Sequence, residues 1–299
     1  MRNQVKWTRR GEWLELNPGK AILEAEDRDA ETMIWLTNAV GMPEKLLRRL
    51  THEKKIQWSG ARLRLALFPS RPLGIDSIWQ ELEVLYEDDF CLVVHKPAGM
   101  TIHPDGRKGE VTLDHVVAAH FEGMGEEVAV RHIHRLDQDT SGPVLYAKNE
   151  WAQLRLDEDM RLKNIERKYI AFVEGNVRSS LSVIDLPIGK DRHHAQRRRV
   201  SPTGQSAITR VRVEEKFTGA SLVHLELDTG RTHQIRVHLS HLGHPLLGDL
   251  LYGGSIGLIK RQALHGEKLC FTHPFTREYI EIDDPWPTDL NDLQNILRT

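Results

Sequence analysis

An α+β fold, built on a mixed and mainly antiparallel sheet with a small N-terminal module, is what this 299-residue sequence predicts. Three observations carry that expectation. Short apolar or β-branched runs recur through residues 82–228, and few are separated by the helix-length crossovers that a parallel sheet demands. Beyond residue 79, helical periodicity is confined to isolated stretches at 113–121, 151–162 and 232–242. Five of the seven tryptophans (Trp7, Trp13, Trp35, Trp58, Trp79) precede residue 80, which predicts a separate module with its own core. The chain is divided accordingly into 1–78 and 79–299, with no internal repeat.

In the N-terminal part, residues 32–40 and 44–50 read as short helices, the second preceded by Pro43. Residues 55–67 read as strand with a turn at Ser59-Gly60, and 69–77, with Pro69, Pro72 and Gly74, as a linker. Residues 82–86 and 90–95 pair as a hairpin across Asp88-Asp89. The helix at 113–121 gathers Leu113, Val116, Val117, His120 and Phe121 on one face. Residues 128–133 and 143–147 read as short buried strands, 222–227 as another, and Gly243 stands as a stop for the helix 232–242.

The formal net charge is only −2, but charge is segregated along the chain. Between residues 187 and 213 stand Lys190, Arg192, Arg197, Arg198, Arg199, Arg210 and Arg212 against the single acid Asp191. Acidic residues dominate the C-terminus, where Glu278, Glu281, Asp283, Asp284, Asp289 and Asp292 face Arg277 and Arg298. A polyanionic partner would meet the first segment, read as a loop, not the second. The two cysteines, Cys91 and Cys270, lie in apolar runs and read as buried reduced thiols. No run is apolar enough to span a bilayer and the first ten residues are polar and basic, so a cytoplasmic protein is expected.

Two dense clusters hold the chemistry. His134-Arg135-Leu136-Asp137-Gln138-Asp139-Thr140-Ser141-Gly142 lies between two strand-like segments, so its polar side chains are fixed at both ends. Gly230-Arg231-Thr232-His233-Gln234-Ile235-Arg236-Val237-His238 follows a strand and opens a helix. Together the clusters resemble the catalytic core of the RluA-type pseudouridine synthases. Further segments match in order: Val93-Val94-His95-Lys96-Pro97-Ala98-Gly99-Met100 with His103-Pro104, Lys168-Tyr169-Ile170-Ala171, Leu246-Leu247-Gly248-Asp249 with Tyr252, and Ala263-Leu264-His265 with Phe271-Thr272-His273-Pro274. The resemblance runs from about residue 83 to the end. Three positions depart from it: His95 where Asn is commoner, Pro143 where an aliphatic residue is usual, and Gly266 where Ala is usual. The N-terminal part loosely resembles the small RNA-binding domain first known in a ribosomal protein, without a basic run at its first helix.

The resemblance implies isomerisation of uridine in structured rRNA or tRNA, with Asp137 as the catalytic aspartate and Tyr169 in the active site. Exchanging a C–N for a C–C glycosidic bond involves no net oxidation and needs no metal, nicotinamide or ATP, so no cofactor is expected. A carboxylate could attack the ribose C1′, attack C6 of the uracil, or drive glycal formation, and the sequence leaves these routes open. A carboxylate in a partly buried cleft is kept charged by a neighbouring guanidinium, and Arg236 is the candidate. Tyr169 would stack on the base or help remove the C5 proton. The base must be flipped out, so His134, Arg135 and Arg231 are candidates for substrate binding, and Lys190, Arg197, Arg198 and Arg199 for tracking the RNA backbone. Of the histidines at 132, 134, 233, 238, 241 and 244, the last four point in different directions from one helix and no cysteine supports them, so no metal centre is expected. The expected partner is RNA alone, bound by a monomer without membrane or obligatory protein partner. The rival readings are an aspartate-dependent base hydrolase, for which Asp139 is the only nearby second carboxylate, and a non-catalytic RNA-binding protein.

Overall fold

The computed structural model describes residues 5–104, 106 and 109–299. The chain begins with β1 (Trp7–Arg10), β2 (Trp13–Leu16), α1 (Lys20–Leu23), α2 (Arg28–Asn38), α3 (Glu44–His52), β3 (Ile56–Ser59) and β4 (Arg62–Ala66). Its strands form one antiparallel sheet in the order β1-β2-β4-β3. Asp27 caps α2 by accepting from Ala30 N at 3.0 Å. β1 lies in the stretch read only as polar and basic, because its alternation buries just one side of a four-residue strand. The expected separate core does not materialise. Leu14, Leu36, Leu46, Leu50 and Leu63 share one buried cluster with Phe90, Trp151 and Phe275. Trp7 meets Phe90 edge-on at 5.2 Å. Residues 69–77 are irregular but tethered: Arg71 N donates to Glu127 O and Val130 N to Leu73 O.

The larger part runs β5 (Val84–Glu87), β6 (Cys91–Lys96), α4 (Leu113–Gly123), β7 (Gly142–Ala147), α5 (Glu150–Arg161), β8 (Glu166–Glu174), β9 (Val183–Asp185), β10 (Ile188–Lys190), β11 (Arg198–Val200), β12 (Ile208–Phe217), β13 (Ala220–Leu227), α6 (Gln234–His241), a 3-10 turn (Leu250–Tyr252), β14 (Leu264–Thr272), β15 (Tyr279–Asp283) and α7 (Thr288–Arg298). A three-stranded sheet, β5-β6-β7, stands beside a six-stranded sheet, β15-β14-β8-β13-β12-β9, while β10-β11 forms a separate ribbon. The ladders are antiparallel. A parallel bridge between Ser141 and His265 joins the two larger sheets.

That junction explains Gly142, the last residue of the first cluster. Its φ of +141° is costly for any residue with a Cβ. A Cβ there would also lie 2.8 Å from Gly266 Cα, so the sheets could not close. Gly266 N donates to Ser141 O at 2.8 Å, and Ser141 Oγ bonds His265 Nδ1 at 3.0 Å. Residues 128–133 do not form the expected strand. They run extended beside β7 through a bridge from His132 to Tyr146 and a bond from Ile133 N to Leu145 O, then His134 Nε2 accepts the Leu145 N–H that a longer ladder would use.

Alternation along β8 and β13 sets the two faces of the large sheet. Tyr169, Ala171, Val223 and Leu225 lie under Ile235 and Leu239 of α6. Ile170, Phe172 and Leu222 lie on the reverse face with Leu290 and Leu293 of α7. The cysteines are free and buried, as their apolar runs predict. Among the described residues, no helix is long and apolar enough to cross a membrane.

Candidate active site

The two clusters of the sequence meet. Arg236 NH1 donates to Asp137 Oδ2 at 3.0 Å across 99 positions of sequence. The rest of the Arg236 fork is taken by Asp249, with Nε to Oδ2 at 2.7 Å and NH2 to Oδ1 at 2.9 Å. Arg236 and Asp249 are buried, at 6% and 2% exposure, while the Asp137 side chain keeps 24%. Burial works against the Arg236 charge, but the Asp249 hydrogen bonds and the two carboxylates outweigh it and raise its pKa. One bidentate carboxylate therefore fixes the guanidinium, which presents its remaining nitrogen to a partly open one.

Asp137 stands where two clefts meet. The first, about 710 Å³, is lined by Arg135, Asp137, Arg167, Tyr169, Arg231 and Arg236, among others. The second, about 620 Å³, shares Arg135, Asp137, His233 and Arg236 and continues to Arg198 and Arg261. Tyr169 is 5% exposed, and burial together with the Asp137 charge raises its phenol pKa against the lowering effect of Arg167. A phenol held protonated suits stacking and hydrogen-bond donation better than proton abstraction.

Lys96 holds the loop that carries Asp137 from behind, a role its place in a motif does not reveal. It is fully buried, and its Nζ donates to Pro97 O at 2.8 Å, Met100 O at 2.7 Å and Gln138 O at 2.8 Å. Burial pushes its pKa down to about 7, opposed by the charges of Asp139 and Asp137. Three carbonyl acceptors match the three N–H donors of an ammonium, so the geometry favours the charged form.

The remaining candidates separate. Arg135 is exposed in the shared wall of both clefts. His134 faces inward: it is 5% exposed, burial lowers its pKa to about 3, and Nδ1 has no partner among the described residues. Arg231 is exposed and gives Nε to Ser206 O at 3.0 Å. Lys190, Arg198 and Arg199 lie not in a loop but on the β10-β11 ribbon, which pairs Lys190 with Arg198 beside the connecting turn, while Arg197 lies in that turn. Arg210 and Arg212, counted with them in the sequence, lie on β12 and are ion-paired with Asp228 and Glu214. Arg210 pairs in register with Glu226, as does Lys168, so it shares the sheet face opposite Tyr169.

The histidines have separate partners. His238 bonds Thr209 Oγ1 and Leu186 O, each at 2.9 Å, and His244 bonds Glu174 O at 2.8 Å. His233, at the N-terminus of α6 with a left-handed φ of 58°, places Nε2 3.9 Å from Asp137 Oδ2. A metal-like grouping of Asp88, Cys91 and His273 lies elsewhere. Its lone pairs are already used: Asp88 accepts from Phe90 N at 2.8 Å, Tyr86 OH at 2.9 Å and His273 Nε2 at 2.7 Å, while His273 Nδ1 accepts from Thr276 N at 2.8 Å. It clamps the β5-β6 turn to the β14-β15 turn.

Comparison with known proteins follows the same lines. Residues 90–241 match the family described as RNA pseudouridylate synthase. The uncharacterized RNA pseudouridine synthase YhcT of Bacillus subtilis is 47% identical over 238 residues, 78% of each chain. Ribosomal large subunit pseudouridine synthase D of Nitrosomonas europaea is 37% identical, over 73% of this chain and 65% of its own. Among solved structures, human RNA pseudouridylate synthase domain containing 1 superposes with a TM-score of 0.56 at 28% identity, over 73% of this chain and 95% of that one.

Proposed function

With the chain belonging to the RNA pseudouridylate synthase family, as an RluA-type enzyme that isomerises uridine in RNA, we propose that Asp137, Arg236 and Tyr169 carry the reaction and that large-subunit ribosomal RNA is its substrate. The single observation behind the site assignment is the partly open Asp137 carboxylate held by an otherwise buried guanidinium at the meeting of two clefts. Asp137 supplies the oxygen that acts on the nucleoside, and Arg236 keeps it charged and aimed. Tyr169 stacks on the flipped uracil and donates a hydrogen bond. Arg135 and Arg231 hold flanking phosphates or fill the gap left in the RNA, and His134 positions the loop through Leu145 N. The ribbon cations Lys190, Arg197, Arg198 and Arg199 follow the backbone. The segment 1–78 is an accessory module in the same proposal. The choice of ribosomal RNA rests on the printed name of the Nitrosomonas relative.

Incubating the chain with unmodified large-subunit ribosomal RNA and with pooled tRNA transcripts, then mapping pseudouridine, tests this reading. Pseudouridine in the ribosomal transcript without free uracil is the expected result. Product only in tRNA would overturn the substrate assignment. Released uracil would favour a hydrolase, and binding without product a non-catalytic protein.

A further inference from the structure

One residue of the matched motifs has no role in the reading above, although it touches both the ribbon and the catalytic group. Tyr252, 5% exposed, takes the backbone N–H of Arg198 on β11 at 2.8 Å and bonds His233 Nδ1 at 2.9 Å through the same phenol oxygen. Its ring lies 5.0 Å from the Arg236 guanidinium carbon and 5.4 Å from that of Arg197. Its backbone carbonyl is anchored to α6 by Ser240 Oγ at 2.8 Å. We propose that Tyr252 is a positioning residue that couples the β10-β11 ribbon to the catalytic carboxylate, so that RNA gripped by the ribbon seats His233 against Asp137. This rests on the reading of Asp137 and of the ribbon given above.

The chain of contacts runs in one direction. A phenol that accepts from Arg198 N–H has its own proton left to donate, and His233 Nδ1 is the acceptor in reach. Nδ1 is then unprotonated, and Nε2 carries the ring proton toward Asp137 Oδ2, 3.9 Å away. Burial lowers the His233 pKa despite the nearby Asp137 charge, with Arg236 and Arg198 acting in the same direction as burial, so the neutral ring is favoured. The left-handed backbone at His233 is strained for a residue other than glycine and is held by its neighbours. A shift of β11 moves the Arg198 N–H, and with it the phenol that sets the imidazole. Binding energy gathered by the ribbon is thereby expressed at the reacting centre and not only as affinity.

The test is a double-mutant cycle in the full chain with Tyr252→Phe and Arg199→Gln, using unmodified large-subunit ribosomal RNA transcript. The readouts are RNA affinity and the single-turnover rate at saturating enzyme. Phe keeps the ring between the two guanidiniums and removes both hydrogen bonds. Tyr252→Phe should slow the single-turnover step about 10-fold while changing affinity less than about 3-fold. In the Tyr252 background Arg199→Gln should lower both affinity and rate; in the Phe background it should lower affinity alone. A wild-type rate for Tyr252→Phe, or an equal slowing by Arg199→Gln in both backgrounds, would overturn the coupling. If Tyr252→Phe melts below the assay temperature, His233→Asn cuts the same relay and must show the same loss of coupling. Absence of product from the wild-type chain would instead defeat the functional reading itself, and independent effects in an active enzyme defeat only the coupling.

Discussion

In the proposed catalytic group every charge has an answering charge inside the protein: Arg236 is bound by Asp249 on one side and by Asp137 on the other. In the β10-β11 ribbon, Lys190 and Arg199 are exposed and, among the described residues, neither is held in an ion pair, although the Arg199 charge helps lower the Asp191 pKa; in the turn beside them, Arg197 leaves a buried Nε unbonded. The two regions are similarly dense in charge in the sequence, but burial separates their roles. A buried ion pair is fixed before substrate arrives, and its desolvation is tolerable only while both partners remain. An exposed cation without a partner is available to a phosphate and gives salt-dependent affinity.

The largest predicted effect tests the buried half of that contrast. Asp249→Ala leaves Arg236 buried with half its fork unpaired, and should destabilise the chain by about 3–5 kcal/mol and reduce turnover at least about 100-fold. Urea unfolding and single-turnover assays read both. A near-normal rate would mean that Asp137 alone can place the guanidinium.

The Asp88–His273 clamp provides a pH test of the same principle. Burial alone would raise the Asp88 pKa, but the His273 hydrogen bond and two backbone N–H groups hold it at about 2, against 3.8 for the free side chain. A depressed folded pKa gives stability that is present above the unfolded value and lost as pH falls through the folded one. The clamp should therefore contribute about 2 kcal/mol above pH 3.8 that disappears toward pH 2. In acid unfolding, the stability gap between wild type and Asp88→Ala should close over that window. A gap unchanged by pH would dismiss the clamp.

Exposed cations should behave differently. Lys190→Gln and Arg199→Gln should each weaken RNA binding and reduce the slope of log affinity against log salt by about 1. Arg210→Gln is the contrast, because Arg210 is bound by Asp228 at 3.0 and 2.9 Å on the reverse face. Its affinity and slope should match wild type. Equal effects from all three would restore the undivided basic segment that the sequence suggested.

The smallest effect concerns the seam between the sheets. A Cβ at Gly266 would meet Pro143 Cδ at 3.1 Å, so Gly266→Ala should cost about 1 kcal/mol, and less in a Pro143→Val background. Denaturation midpoints of the two single variants and the double variant decide whether the effects are coupled or simply add.

That seam also shows what the sequence could and could not reveal. In the sequence His95, Pro143 and Gly266 stand as three separate departures from a family pattern, yet His95 pairs with Pro143 in register, and Pro143 abuts Gly266. His95 Nδ1 and His265 Nε2 both bond Asp284, which in the sequence is one acid of an acidic terminus. The Asp137–Arg236 contact was legible because each residue lay in a motif dense enough to be recognised. Lys96 and Asp249 were in motifs too, but their roles depend on carbonyls and a guanidinium brought up by tertiary folding, which no local spacing encodes. Strands with a buried run, such as β7 and β13, were read correctly. β1 leaves no clear strand signal and residues 128–133 carry one without forming a strand, because a short run does not say which ladder will accept it.

Replacing Asp137 by Asn tests the central claim most directly, since the amide keeps the shape and removes the charge. With unmodified ribosomal transcript, the account predicts RNA binding within about 3-fold of wild type and a single-turnover rate lowered by at least about 1,000-fold. Pseudouridine forming at a rate near that of the wild type would contradict it.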